Sequence, residues 1–70
     1  MTHRQEEQLS RLKASKELFV NAEDIADILE SRPQDIRDAI RKQTAGFPAY
    51  VQNSRVKIPR IPFLRFIGME

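Results

Sequence analysis

The fold of this chain depends most on one segment, residues 22–43, which reads AEDIADILESRPQDIRDAIRKQ. Apolar residues recur in it at helical spacing on both sides of Pro33. Proline disfavours helix at the residue before it, yet it suits the first turn of a new helix. The segment therefore predicts two short amphipathic helices, at 22–30 and 33–43.

The residues around these helices predict how each one begins and ends. Asn21 can cap the start of the first helix, and Ser31 is a better cap for the second helix than Arg32. Gly46 can supply a left-handed residue after the second helix. Two helices joined by a turn of about three residues have the spacing of a helix-turn-helix unit.

After Gly46 the hydrophobic period changes from helical to two. Residues 47–52 and 55–58 predict two strands joined by a turn at Asn53 and Ser54. The side chains of the second strand alternate between an apolar and a basic face, made of Val56 with Ile58 and of Arg55 with Lys57. The sequence therefore predicts a β-hairpin with a basic outer face.

Three further segments complete the predicted fold. Residues 4–16 are polar and predict a solvated N-terminal helix, whereas the apolar run at 18–20 predicts a short strand. The dense apolar segment at 61–67 predicts a short C-terminal helix that completes the core. We expect an α+β fold, mostly helical, in which residues 1–17 form a polar helical segment and residues 18–70 the main domain.

Four aromatic residues could either fill the core or stack on nucleic-acid bases. Their apolar neighbours favour the core, with Tyr50 as the one that could keep its hydroxyl at the surface. The four are Phe47, Tyr50, Phe63 and Phe66.

Composition excludes several classes of protein. The 70 residues contain no cysteine and a single His3, so we expect no disulfide and no metal site. No apolar run reaches the roughly 20 residues of a membrane span, and the polar start is unlike a signal peptide. We therefore expect a cytoplasmic protein without a membrane partner.

The charge is unevenly distributed along the chain. Residues 1–31 contain four basic and seven acidic side chains, whereas residues 32–70 contain eight basic and three acidic ones. Such asymmetry favours a polyanionic partner for the second half.

Enzymatic activity is not expected from this sequence. The acidic residues of the first predicted helix lie on one solvated face, with no histidine or nucleophile nearby in sequence; they are Glu23, Asp24, Asp27 and Glu30. A glycine-rich phosphate loop, a nucleophile elbow and zinc-ligand spacing are all lacking. We expect no catalytic residue, no cofactor and no small-molecule substrate.

Three stretches are informative as motifs: AEDIADIL at 22–29, IRDAIRK at 36–42, and RVKIPRIPFL at 55–64, which is the most specific. Through these stretches, residues 18–67 resemble the excisionase and MerR-like winged-helix families. The families usually have glycine and then an apolar residue in the turn between the helices, where this chain has Glu30 and Ser31. The resemblance implies a winged helix-turn-helix fold: an N-terminal helix, the two-helix unit, a two-stranded wing and a short C-terminal helix.

The resemblance also implies sequence-specific binding of double-stranded DNA. Proteins of this kind act as recombination directionality factors or as phage transcription regulators, and many are encoded by phages or other mobile elements. Self-association on DNA and a protein partner such as an integrase are implied as well.

In this interpretation the second helix enters the major groove and the wing contacts an adjacent groove. Arg37 and Arg41 lie four positions apart, and an arginine can bridge guanine O6 and N7. The basic wing could contact a minor groove or phosphates, and Arg32 a phosphate at the helix start. The predicted DNA-binding residues are Arg32, Gln34, Arg37, Arg41, Lys42, Asn53, Ser54, Arg55, Lys57 and Arg60.

Each of these assignments has a simpler alternative. The arginines of the second helix could belong to a solvated face beside Asp35 and Asp38, and the basic wing could only protect a sheet edge. The same two aspartates suggest an alternative function, a non-enzymatic protein-interaction module built on the same scaffold. In that case residues 1–17 could pair as a helix with a second copy.

Overall fold

The computed structural model describes residues 1–69, which form four α-helices, one 3₁₀ helix and three strands. Their order is α1 (His3–Ala14), β1 (Phe19–Val20), a 3₁₀ helix (Ala22–Asp24), α2 (Ala26–Leu29), α3 (Pro33–Arg41), β2 (Tyr50–Gln52), β3 (Arg55–Pro59) and α4 (Arg60–Phe66). The predicted α+β class is confirmed. Within residues 1–69, no helix has the length and apolar character that crossing a membrane requires.

The three strands form one antiparallel sheet with β3 in the middle, in the order β1-β3-β2. Val56 and Ile58 are buried, whereas Arg55 is exposed and Lys57 is half-buried, so the predicted alternation along β3 is confirmed. β1 pairs with the end of β3, although 38 residues or more separate their paired positions in sequence (Phe19 with Pro59, Val20 with Ile58). The hairpin is therefore extended into a sheet by a strand that precedes both helices of the two-helix unit.

The core draws residues from α1, β1, the segment 22–25, α3, β3 and α4. It consists of Leu9, Leu12, Val20, Ala22, Ile25, Ile36, Ile40, Val56, Ile58, Phe63 and Leu64. In α3 the buried residues Ile36 and Ile40 are four apart, as the apolar stripe predicted. The sheet buries Val56 and Ile58 on its inner side, where α3 packs against β2 and β3.

Helix α1 is attached to the rest of the fold through two glutamines as well as two leucines. Gln8 accepts a hydrogen bond from the Ile28 amide (3.0 Å) and donates to the Glu23 carbonyl (2.9 Å). Gln5 is buried and donates to the Ile28 carbonyl (3.3 Å) and to the Glu30 carboxylate (3.0 Å). Because these bonds satisfy backbone groups at the end of α2, α1 takes part in forming the two-helix unit.

The first predicted helix, 22–30, is not continuous. Its start is a 3₁₀ helix. The Asn21 amide donates to the Asp24 carboxylate at the beginning of this helix (2.9 Å), and the Ile25 amide donates to the Ala22 carbonyl at its end (3.2 Å). Ile25 then departs from helical geometry (φ −125°, ψ 1°) and is completely buried. Tertiary packing of Ile25 thus overrides the helical period in this segment.

The second predicted helix ends at Arg41 and not at Gln43, because Gln43 itself adopts the left-handed conformation (φ 60°). The Gln43 amide bonds to the Ile40 carbonyl (3.1 Å) and the Thr44 amide to the Ala39 carbonyl (2.8 Å), which is the Schellman arrangement. The prediction that Gly46 ends this helix was therefore wrong.

The N-cap of α3 also differs from the prediction. The N-cap residue is Arg32, without a side-chain cap bond, while the Ser31 hydroxyl donates to the Leu29 carbonyl (3.2 Å). Ser31 therefore contacts the end of α2 and does not cap α3.

The first wing strand and the last helix also begin at residues other than those predicted. The first wing strand begins at Tyr50 and not at residue 47, because Phe47 packs edge-on against Phe63 (centroids 5.2 Å apart) and Pro48 has no amide hydrogen to donate to a strand. Helix α4 begins at Arg60, directly after β3. Pro62 lies in its first turn, where a helical amide has no partner within the helix.

Candidate nucleic-acid interface

The exposed side of α3 carries polar residues that partly bind one another. Opposite the buried Ile36 and Ile40, Gln34 donates to the carboxylate of Asp38 (3.0 Å). This bond occupies one amide donor of Gln34 and one oxygen of Asp38. Asp38 is therefore bound to a neutral amide, and its negative charge stays on the outer side of α3.

Arg37 lies beside the 3₁₀ helix and is bound there. Its guanidinium donates to the Glu23 carboxylate and forms an ion pair with it, and the Arg37 side chain is only 28% exposed. The pKa of Glu23 is lowered, chiefly by a hydrogen bond from its own backbone and further by Arg37, against the opposing effect of partial desolvation. Arg37 thus links the two helices of the predicted helix-turn-helix unit.

Partial burial has the second largest effect on the pKa of Glu23, ahead of Arg37. Partial desolvation raises the pKa of Glu23, and the arginine offsets that rise with both a hydrogen bond and a charge. The ion pair with Arg37 therefore adds to the backbone hydrogen bond in favouring the ionised form of Glu23.

Arg41 connects α3 to the hairpin. Its guanidinium donates to the backbone carbonyl of Ser54 in the hairpin turn (3.2 Å). This contact places the C-terminal end of α3 next to the tip of the wing, and Lys42 follows directly as an exposed C-cap residue of α3. Residues from the two predicted DNA-binding elements are therefore neighbours in space.

The hairpin presents its basic residues on the outer side. Asn53 and Ser54 both have positive φ (52° and 64°), the conformation of the tight turn that fits a two-residue hairpin. Arg55 is exposed, while the ammonium of Lys57 donates to the Gln52 side chain (3.3 Å). Within residues 1–69, neither basic residue is in an ion pair.

Arg32 and Arg60 are both bound elsewhere. The Arg32 guanidinium contacts both carboxylate oxygens of Asp35 (3.0 and 3.3 Å), and this hydrogen bond raises the pKa of Arg32. Arg60 donates to the carbonyls of Glu17 (2.9 Å) and Leu12 (3.3 Å), so it completes the end of α1. The structure thus places Arg60 on the α1 side of the molecule and does not join it to the hairpin turn.

One long stretch in the second half of the chain is basic and contains no acidic residue. This stretch favours an anionic partner more strongly than the difference in charge between the two halves does. Between Ala39 and Met69 there are six basic residues and no aspartate or glutamate. This stretch begins in the last turns of α3 and includes the whole hairpin. We call Arg41, Lys42, Arg55 and Lys57 the basic surface, because the contact between Arg41 and Ser54 brings their two elements together.

The aromatic residues are less uniformly buried than predicted. Phe63 is completely buried and Phe47 partly buried, whereas Tyr50 (57% exposed) and Phe66 (50% exposed) lie at the surface. The core prediction was therefore wrong for Phe66, whereas Tyr50 is the ring that was expected to be able to keep its hydroxyl at the surface. For Tyr50 the hairpin itself contains the signal, because a two-residue turn at 53–54 pairs Tyr50 with the outward-facing Lys57.

The chain matches no known protein-family model, no curated protein and no solved structure. Among residues 1–69, no group of three or more histidine, cysteine, aspartate or glutamate side chains is arranged to hold a metal ion.

Proposed function

We propose that this protein is a small winged helix-turn-helix protein that binds double-stranded DNA in a sequence-specific manner. In this proposal α3 lies in the major groove and the β2–β3 hairpin is the wing. The hydrogen bond from Arg41 to the Ser54 carbonyl is the observation that carries the proposal. It supports the proposal because a recognition helix and a wing must be held side by side to contact one stretch of duplex.

The topology and the charge add support. β1 precedes the two-helix unit and pairs with β3, so the hairpin is anchored to the domain at its base. The absence of acidic residues between 39 and 69 gives the basic surface a uniform sign. Contacts to phosphates supply most of the sequence-independent affinity for DNA, and they require such a surface.

The contributions of the ten predicted residues differ in this proposal. Lys42 and Arg55 are the strongest phosphate contacts, because both are exposed and neither is in an ion pair within residues 1–69. To contact a base or a phosphate, Arg37 would have to break its ion pair with Glu23, and Arg32 its ion pair with Asp35. Gln34 and Asn53 are free to read base edges once the Gln34–Asp38 bond opens.

The biological role follows from the resemblance in 22–29, 36–42 and 55–64. We propose an excisionase-like recombination directionality factor or a phage transcription regulator, active in the cytoplasm and binding side by side on repeated sites. An integrase is the protein partner that the first of these roles requires. The proposed activity is binding alone, without catalysis or a cofactor.

The experiment that tests this function is selection of duplexes from a random pool, followed by a salt titration. We expect a defined sequence subset to be retained, with affinity that falls steeply as salt rises. Lys42→Ala and Arg55→Ala should each reduce the salt slope by about 1, as expected for one lost phosphate contact. Lys13→Ala is the matched control, since it removes one charge from α1.

Two outcomes would contradict the proposal. Retention of all duplexes alike would leave only non-specific attraction of a basic surface. No binding at low salt would favour the alternative function, a protein-interaction module that uses the exposed Asp35 and the half-buried Asp38 of α3.

A further inference from the structure

The outer face of the sheet shares Arg55 and Lys57 with the basic surface, but its aromatic rings have no part in the proposed duplex binding. Cross-strand pairing places Tyr50 beside Lys57 and Gln52 beside Arg55 on this face, and Phe19 occupies the same side at the end of β3. We call these five residues the outer sheet face. Helix α3 packs on the opposite side of the sheet, so a duplex held by α3 leaves most of this face open.

Two aromatic rings stand exposed on the outer sheet face. Tyr50 is 57% and Phe19 43% exposed, and the rings meet edge-to-face with centroids 6.2 Å apart. The ammonium of Lys57 lies 5.9 Å from the centre of the Phe19 ring. An aromatic pair with a cation beside it offers both a stacking surface and a charge for a phosphate.

Charge distinguishes the two ends of this face. The hollow on the β1 flank is lined by Phe19 and by charged residues that are mostly acidic, namely Glu17, Glu23 and Asp24 against the single base Arg11, so its net charge disfavours an anion. The hairpin end is lined by Gln52, Asn53, Arg55 and Lys57, with no acid among them. An anionic ligand therefore approaches from the hairpin end, where Tyr50 is the first ring that it meets.

We propose that the outer sheet face is a second nucleic-acid site, which binds an unpaired base of single-stranded nucleic acid on the Tyr50 ring. Arg55 and Lys57 hold the adjoining phosphates, and the Gln52 side chain is within reach of the base edge. Stacking on an aromatic ring tolerates any base, so this site adds affinity for single strands without sequence choice. The proposal is independent of duplex binding by α3.

The chain contains one tyrosine and no tryptophan, so intrinsic fluorescence reports on Tyr50 alone. We would titrate the full chain with a short thymidine oligomer and with an abasic oligomer of the same length and charge. Stacking is expected to quench the tyrosine emission with the thymidine oligomer and to leave it nearly unchanged with the abasic one. Equal quenching and equal affinity for both oligomers would overturn the proposal.

Three variants at position 50 separate stacking from simple apolar contact. Tyr50→Ala and Tyr50→Leu should weaken binding of a fluorescein-labelled thymidine oligomer roughly 5- to 100-fold, the loss expected for one stacked base, whereas Tyr50→Phe should retain it. Circular dichroism verifies that each variant is folded. If Tyr50→Leu binds as well as the parent chain, the ring does not stack and the proposal is wrong.

Duplex binding by the same variants distinguishes the two proposals. Tyr50→Ala should retain the affinity for the selected duplex, because Tyr50 is not part of the basic surface.

If the parent chain binds the selected duplex but neither oligomer, the further proposal fails while the proposed function stands. That result would favour a protein partner for the exposed rings. If the chain binds the thymidine oligomer but selects no duplex, the proposed function fails while this site stands.

Discussion

The guanidinium of Arg37 is ion-paired with the carboxylate of Glu23, which lies 14 positions earlier in the chain. The pair joins α3 to the 3₁₀ helix on the polar side, while Ile25 and Ile36 belong to the common core on the apolar side. A basic residue that the sequence assigns to DNA contact is therefore engaged within the fold in the absence of DNA.

The first prediction concerns the pH dependence of stability. The pKa of Glu23 is lower in the folded protein than its ordinary value of 4.5. Its ionisation therefore stabilises the folded state above the unfolded pKa, and this contribution is lost as the pH falls through the folded pKa. Because Glu23 and Arg37 are partly exposed, we expect Glu23→Gln to lower the free energy of unfolding by less than about 1 kcal/mol at pH 7.

Urea denaturation at pH 7 and at pH 3 measures this effect. The difference in stability between the parent chain and Glu23→Gln should shrink at pH 3, because the pH is then below the ordinary pKa of 4.5 and falls towards the lowered pKa of the folded state. Glu17→Gln is the control, since the Glu17 side chain is in no ion pair within residues 1–69. An equal difference at both pH values would show that the ionisation of Glu23 has no role.

The second prediction concerns Arg41, which we expect to position the wing and to contact DNA. Arg41→Ala should weaken binding of the selected duplex by about 1–3 kcal/mol. Stability should change by less than about 1 kcal/mol, because the side chain is exposed. Fluorescence anisotropy with a labelled duplex measures the affinity. Arg65→Ala removes the same charge from α4, and an equal loss in that variant would contradict a specific role for Arg41.

The third prediction concerns the attachment of α1. Gln8→Ala removes the acceptor of the Ile28 amide and the donor to the Glu23 carbonyl. Since a partly buried amide is then left without a protein partner, we expect a loss of about 1–2 kcal/mol in the free energy of unfolding. Ser10→Ala, at an exposed position of the same helix, should have little effect. Equal stability of the two variants, measured by urea denaturation, would rule out this role of Gln8.

The fourth prediction concerns the end of α3. Gln43 has a φ of 60°, a conformation that glycine adopts without the steric cost that a side chain adds. We expect Gln43→Gly to raise the free energy of unfolding by about 0.5–1 kcal/mol. Gln34→Gly lies within the same helix, where the substitution should destabilise by up to about 1 kcal/mol. Thermal denaturation of both variants checks the two opposite signs, and a loss of stability in Gln43→Gly would contradict the Schellman assignment.

The sequence predicted the elements of this fold better than their ends. Pro33 located the start of α3, and the period-two alternation of β3 correctly assigned Val56 and Ile58 to the core, because both are local features of the backbone. The ends of the helices were less accurate. Glu30 and Gln43 both adopt positive φ without being glycine, and nothing in their residue types indicates it.

For the candidate site, the sequence by itself determined which residues are basic and that none between 39 and 69 is acidic. Only the tertiary structure decided which of those charges are available. Arg60 binds carbonyls at the end of α1, 43 and 48 positions away, and Arg41 binds the hairpin turn, 13 positions away. Helical and strand periods extend over a few residues, whereas these partners are brought together by packing of the whole core, and so the local pattern of the chain does not contain them.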